Sequence, residues 1–221
     1  MIAVGASFSA LEVVPLALIG WEAFETYRRA HAAPWMERYR WPILFFVAVA
    51  FWNLVGAGLF GFLINPPLAL YYMQGLNLTP LHGHTALFGV YGMLGIGLML
   101  FCLRAIKPHA IWNETLLARS FWLFNVGLSA MALFCLLPMG VLQLTAALEH
   151  GYWYARSSEF MGTPLMDALR WMRVFGDTLF AAGAIAFVVA VGRVTLGRSR
   201  GRVQRGASEP GAPDSAHPVG A

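Results

Sequence analysis

Long apolar stretches alternate along the chain with short connections that hold most of its charge. Crossing ~30 Å of hydrocarbon takes about 20 residues of helix. Five stretches meet that length: from about Ile2 to Tyr27, Trp41 to Asn65, Thr79 to Ile106, Ser120 to Leu148 and Ala168 to Val194. The pattern predicts an all-α fold, a polytopic transmembrane helix bundle of five spans, occupying residues 1–196 as one membrane domain. Pro66 and Pro67 end the second span, because proline cannot donate to the preceding turn. Thr79 followed by Pro80 reads as the cap and first-turn proline of the third. From about Gly197 the chain becomes rich in Arg, Gly, Pro and Ser, so residues 197–221 read as a disordered basic tail.

Composition agrees. Of 221 residues, 58% are hydrophobic and only 12% charged, half the charged share of an ordinary soluble domain. A cytosolic globule is excluded, and so are disordered and collagen-like chains. Eight Trp and 16 Phe suit a protein lying across a lipid interface. Trp21, Trp35, Trp41, Trp52, Trp153 and Trp171 fall near span ends. Cys102 and Cys135 lie inside apolar runs, so no disulfide framework or cysteine metal site is readable. The first span starts at Met1 without a charged leader region or a small-residue cleavage site, and does not read as a signal peptide.

The basic residues set the expected topology. Twelve of the 15 Lys and Arg follow the first, third and fifth spans; only Arg156, Arg170 and Arg173 occupy the alternate side. The positive-inside rule then puts the N-terminus outside and the C-terminus in the cytoplasm. The formal charge of +4 and the pI near 9.4 therefore report topology. They imply membrane lipid, and no nucleic acid, as partner.

Chemistry concentrates in Pro80-Leu81-His82-Gly83-His84, at the outer end of the third span. Imidazoles inside a membrane are costly and usually functional. Two positions apart on a helix is about 200° around its axis, so the rings point to opposite faces. One ion cannot easily take both, whereas two separate cofactors can take one each. Histidine is a common axial ligand of haem iron. Gly83, Gly89, Gly92, Gly95 and Gly97 on the same span would let a flat macrocycle or a neighbouring helix approach the backbone. The same residues equally admit a structural reading, with the histidines bonded to carbonyls and the glycines serving helix packing.

Glu12 lies in mid-span, where a carboxylate is either paired or holds a proton. Either state suits a proton relay, and so does a purely structural hydrogen bond to a neighbouring helix. Asp177 is one turn beyond Arg173, and an i,i+4 salt bridge is the simpler reading of that pair. Arg170 and Arg173 fall at the depth of the two histidines. They read either as guanidinium partners for haem propionates or as arginines snorkelling to the interface.

Several segments resemble one family. FWNLVGAGLFGFLINPPLALYYMQGLNLTPLHGHTALFGVYGMLGIGLMLFCLR (51–104), the earlier FSALEVVPL and the later EHGYWYARSSEFM and WMRVFGDTLFAAGA are similar to the large, cytochrome b subunit of bacterial nitric oxide reductase. Its quinol-dependent single-chain form is the nearer match. That family is part of the haem-copper oxidase superfamily, and the resemblance covers about residues 5–195. It implies that His82 is the proximal ligand of the high-spin haem b3, which faces a non-haem iron. It implies that His84 is one axial ligand of the low-spin haem b, and that Glu12 is the glutamate near the binuclear centre. Arg170 and Arg173 would contact propionates. The reaction implied is reduction of two nitric oxide molecules to nitrous oxide and water, with two electrons and two protons, in a respiratory chain serving denitrification or detoxification.

The departures are equally specific. In the family the non-haem iron takes three histidines and a glutamate from helices that would precede the first span here. The second ligand of the low-spin haem comes from a still earlier helix. The remaining histidines, His31, His109, His150 and His217, lie in connections or the tail. By resemblance the chain is the C-terminal part of a protein of at least twelve spans, inactive on its own, with the missing N-terminal part as its partner. The electron donor, quinol or cytochrome c, would be decided by that missing part. Two other readings stand beside this one: a non-catalytic haem-binding membrane protein, and an oxygen-reducing relative within the superfamily.

Overall fold

In a computed structural model of the chain, residues 2–11, 13–29 and 34–196 are described, and every regular element among them is helical. In chain order these are α1 (Ile2–Leu11), α2 (Val13–Arg29), α3 (Pro34–Arg38), α4 (Arg40–Ile64), α5 (Pro67–Met73), α6 (Leu78–Ile106), α7 (Glu114–His150), α8 (Ser158–Met161) and α9 (Pro164–Leu196). A short 3₁₀ turn covers Tyr154–Arg156. Among the described residues four helices, α4, α6, α7 and α9, are long and apolar enough to cross a membrane. The first expected span corresponds to α1 and α2, separated by Glu12, which lies outside the described residues. The expected tail, 197–221, lies outside them as well.

The second, third and fifth spans begin and end within a few residues of expectation. The fourth starts earlier, at Glu114 instead of about Ser120. Asn113 caps it, its side chain accepting from the Leu116 amide at 2.9 Å, with Glu114 in the positive first turn. Those polar residues carry the helix beyond the hydrocarbon, where hydropathy is blind to it. One cap differs from expectation. Asn77, not Thr79, precedes the first turn of α6. Thr79 instead accepts from the Gly75 amide at 3.1 Å and holds the loop.

α7 is the central rod: half of its most apolar stretch is buried within the bundle, against 22–28% for the other three spans. α9 runs along it, and the two backbones meet at glycines. A Cβ on Gly127 would lie 2.8 Å from the Phe180 amide nitrogen, and one on Gly176 would lie 2.8 Å from that of Met131. Small residues at such a crossing allow close helix packing inside a membrane. Around it Phe88, Phe124 and Phe180 interlock, with ring centroids 4.4–5.4 Å apart. Phe45, Met93, Leu100, Leu117 and Leu128 complete a fully buried core. On the other side α4 lies against α6, with Gly89 seated on the Trp52 side chain and Gly97 on Phe46.

Candidate functional site

α6 carries His82 and His84 in its second turn, and the structure sends them in opposite directions. His82 shares a face with Leu78, Leu81 and Thr85, all buried, and turns toward α4. His84, on the far side, shares its face with Leu87, Tyr91 and Leu98, which are 66%, 68% and 48% exposed. One histidine thus addresses the bundle interior and the other an open flank.

Each ring is held by a backbone carbonyl. His82 Nδ1 donates to the Gly56 oxygen at 2.8 Å, and His84 Nδ1 donates to the Pro80 oxygen, one turn back, at 2.7 Å. A carbonyl only accepts, so each Nδ1 must carry the hydrogen, and in the neutral tautomer the lone pair is then on Nε2. Among the described residues no hydrogen bond reaches either Nε2. Metal-ligating histidines are characteristically fixed in this way, one nitrogen tied to a carbonyl and the other left to coordinate. Both rings therefore fit axial ligation of an iron.

The acceptor for His82 comes from a distortion in α4. Residues Asn53–Phe60 are π-helical, an i→i+5 winding that displaces carbonyls from the regular ladder and recurs at functional sites. Gly56 sits in that stretch, pressed against α6: a Cβ there would overlap Thr85 at 2.7 Å. Gly61, one turn further, gives room to the ring itself, since a Cβ there would lie 3.0 Å from His82 Cε1. Further π-helical stretches occur at Leu87–Gly92 in α6 and Ala132–Leu136 in α7. Gly56 carries no signal in the sequence, because a backbone oxygen has no residue-type signature.

Arg170 and Arg173 lie near the start of α9, and each has partners within the chain. Arg170 Nη1 donates to Asp167 at 3.3 Å and its Nη2 to the Met161 oxygen at 2.7 Å. Arg173 Nε donates to Asp177 at 3.1 Å, the i,i+4 pair expected. Among the described residues no hydrogen bond joins either arginine to the histidines. Both side chains are half exposed, and guanidinium groups have five donors, so donors remain for an anion. Among the described residues no three His, Cys, Asp or Glu side chains converge as a metal site.

The opposite end of the bundle gathers the basic connections. Arg38 Nη2 donates to the Pro108 oxygen at 3.2 Å. Lys107 Nζ donates to the Val194 and Thr195 oxygens at 3.1 and 2.6 Å, satisfying carbonyls at the end of α9. Arg104 pairs with Glu114 at 2.8 Å and stacks 4.2 Å over the Trp112 ring. The basic residues after α2, α6 and within the last turn of α9 therefore share one end, and the histidines lie toward the other.

In an all-helical bundle with four membrane-length helices among the described residues, two imidazoles with Nδ1 held thus stand on opposite faces of one rod. The match to a family model agrees: residues 1–179 match cytochrome c and quinol oxidase polypeptide I, and the chain belongs to that haem-copper oxidase family. It is also similar to a nitric oxide reductase subunit from Stutzerimonas stutzeri, 27% identical over 212 residues that take in 90% of this chain. The matched region is 41% of that relative's length.

Proposed function

We propose that this chain is the part of a nitric oxide reductase that supplies the axial histidines of haem b3 and haem b. Three things support the reading: the family, the similarity to a nitric oxide reductase subunit, and above all the pair of rings with Nδ1 occupied and Nε2 unengaged on opposite sides of α6. The haems would supply electron transfer and a site where nitric oxide binds iron. The chain's own residues hold and orient. The Gly56 carbonyl fixes the His82 tautomer and ring plane, and the Pro80 carbonyl does so for His84. Arg170 and Arg173 offer remaining guanidinium donors to propionates. Glu12 is assigned by its motif to proton supply or to shaping the non-haem iron site.

Two consequences follow for partners. On this reading the remaining ligands of the haem at His84, and those of the non-haem iron, would come from the part of the enzyme outside the matched region. The active unit is therefore this chain joined to the complementary part of the enzyme, in a bacterial inner membrane with the histidine end outward. Its donor is quinol or cytochrome c.

The test is co-expression with the complementary part, followed by measurement of nitric oxide consumption. Nitrous oxide formed at one molecule per two of nitric oxide, with water as the other product, is the expected result. A joined product that binds two b haems and consumes no nitric oxide overturns the assignment. It would leave a haem-binding protein or, if oxygen is consumed, an oxidase.

A further inference from the structure

Gln143 lies in the outer part of α7 among apolar neighbours and is only 4% exposed. A buried primary amide is tolerated when its two donors and its acceptor are met. Here they all are. Its Oε1 accepts from both the backbone nitrogen and the Nδ2 of Asn77, each at 2.8 Å. Its Nε2 donates to the Ala155 oxygen at 3.1 Å and to Met161 Sδ at 3.2 Å. Asn77 is the residue from which α6 starts. Met161 in turn receives Arg170 on its carbonyl. A single side chain thus links the start of the histidine helix to α7, to the α7–α9 connection and, through Met161, to Arg170.

The adjacent loop is fastened a second time. Tyr152 donates its hydroxyl hydrogen to the Gln74 carbonyl and accepts from Arg156 Nη1 at 3.0 Å. Gly75 passes beneath that hydroxyl with φ +74, where a Cβ would lie 3.0 Å from the oxygen. A left-handed residue under so close a contact favours glycine.

A leucine would fill the Gln143 volume equally well, so the amide adds direction. Direction matters for this helix in particular, because its two rings point opposite ways. A side-chain tip about 5–6 Å from a helix axis sweeps about 2 Å when the helix turns by about 20°. A turn that improves the aim of one ring spoils the other, and functional groups tolerate roughly 0.5 Å. We propose that Gln143 is a positioning residue: through Asn77 it sets the rotation and depth of α6, so that His82 and His84 present Nε2 to two separate irons. The proposal rests on the haem reading given above.

The test uses the full chain in lipid nanodiscs, alone and joined to the complementary part, with Gln143→Leu, Gln143→Glu and Asn77→Ala. Hydrogen exchange is read first, without haem. Gln143→Leu is expected to speed exchange at least tenfold over Asn77–Leu81 and leave α4 unchanged. Gln143→Glu, which keeps an acceptor for Asn77 but loses the donors to Ala155 and Met161, falls between that variant and the parent, as does Asn77→Ala. The optical spectrum of the joined protein loaded with iron protoporphyrin IX is read second. Gln143→Leu is expected to weaken both haem signatures together, with Gln143→Glu restoring them in part. Parent-like exchange in Gln143→Leu overturns the clamp. Fast exchange with an unchanged spectrum overturns the positioning role. If the parent itself takes up no iron porphyrin, the haem reading and the positioning role fall together, while the exchange result still reports whether the clamp exists. Should Gln143→Leu not fold, Gln143→Glu and Asn77→Ala carry the same comparison.

Discussion

Two imidazoles and the carbonyls that hold them carry the proposed chemistry. The sequence makes His82 and His84 visible, because imidazoles inside an apolar helix are costly, and the carbonyl bonds that the structural reading expects are present on both rings. It cannot show which nitrogen each ring leaves free, since that depends on Gly56, 26 residues away, and on the Pro80 carbonyl. Gln143 does not stand out in the sequence, because its partner Asn77 lies 66 residues distant. Glycines give the sharpest prediction at this scale. Gly56→Val drives a branched side chain into Thr85, where even a Cβ would sit at 2.7 Å. It should cost about 1–3 kcal/mol by overpacking and withdraw the acceptor from His82. Denaturation in detergent should show the loss, and the haem on His82 should weaken more than the one on His84. Gly95 has nothing within 4 Å of its would-be Cβ. Gly95→Ala should therefore be neutral or stabilising by up to about 1 kcal/mol, because alanine is the better helix former.

Helices come next, and here hydropathy does well for a physical reason. Lipid leaves the backbone no partner but itself, so an apolar run long enough to span must be helical. Four spans follow from that alone. What hydropathy misses are the features polarity writes: the Asn113 cap that starts α7 early, and the Asn77 start of α6. It also misses the π-helical stretches, because winding changes no residue's polarity, although Asn53–Phe60 is what offers Gly56 to His82. The α7–α9 crossing depends on Gly127 and Gly176 in backbone contact. Gly176→Leu should force the two helices apart, lowering the unfolding midpoint in detergent and raising protease sensitivity. Thr178→Leu, an exposed neighbour on the same helix, should do neither.

At the scale of the molecule, the alternation of charge between connections becomes a physical end of the bundle. Arg38, Arg104, Lys107 and the last turn of α9 meet there, and the histidines lie toward the other pole. Reporter fusions check the orientation proposed from this. A fluorescent protein joined within 107–112 should fold in the cytoplasm, and alkaline phosphatase joined within 150–157 should be active in the periplasm; the reverse pattern would invert the bundle. The matched relative is far longer than the region it shares with this chain, and the proposed function rests on the two parts acting together.

The most direct measurement is the reduced optical and electron paramagnetic spectrum of the chain joined to its complementary part, in the parent, His82→Ala and His84→Ala forms. Two b-type signatures are expected in the parent. His82→Ala should remove the high-spin one alone and His84→Ala the low-spin one alone. Either substitution leaving both signatures in place would contradict the assignment of one iron porphyrin to each face of α6.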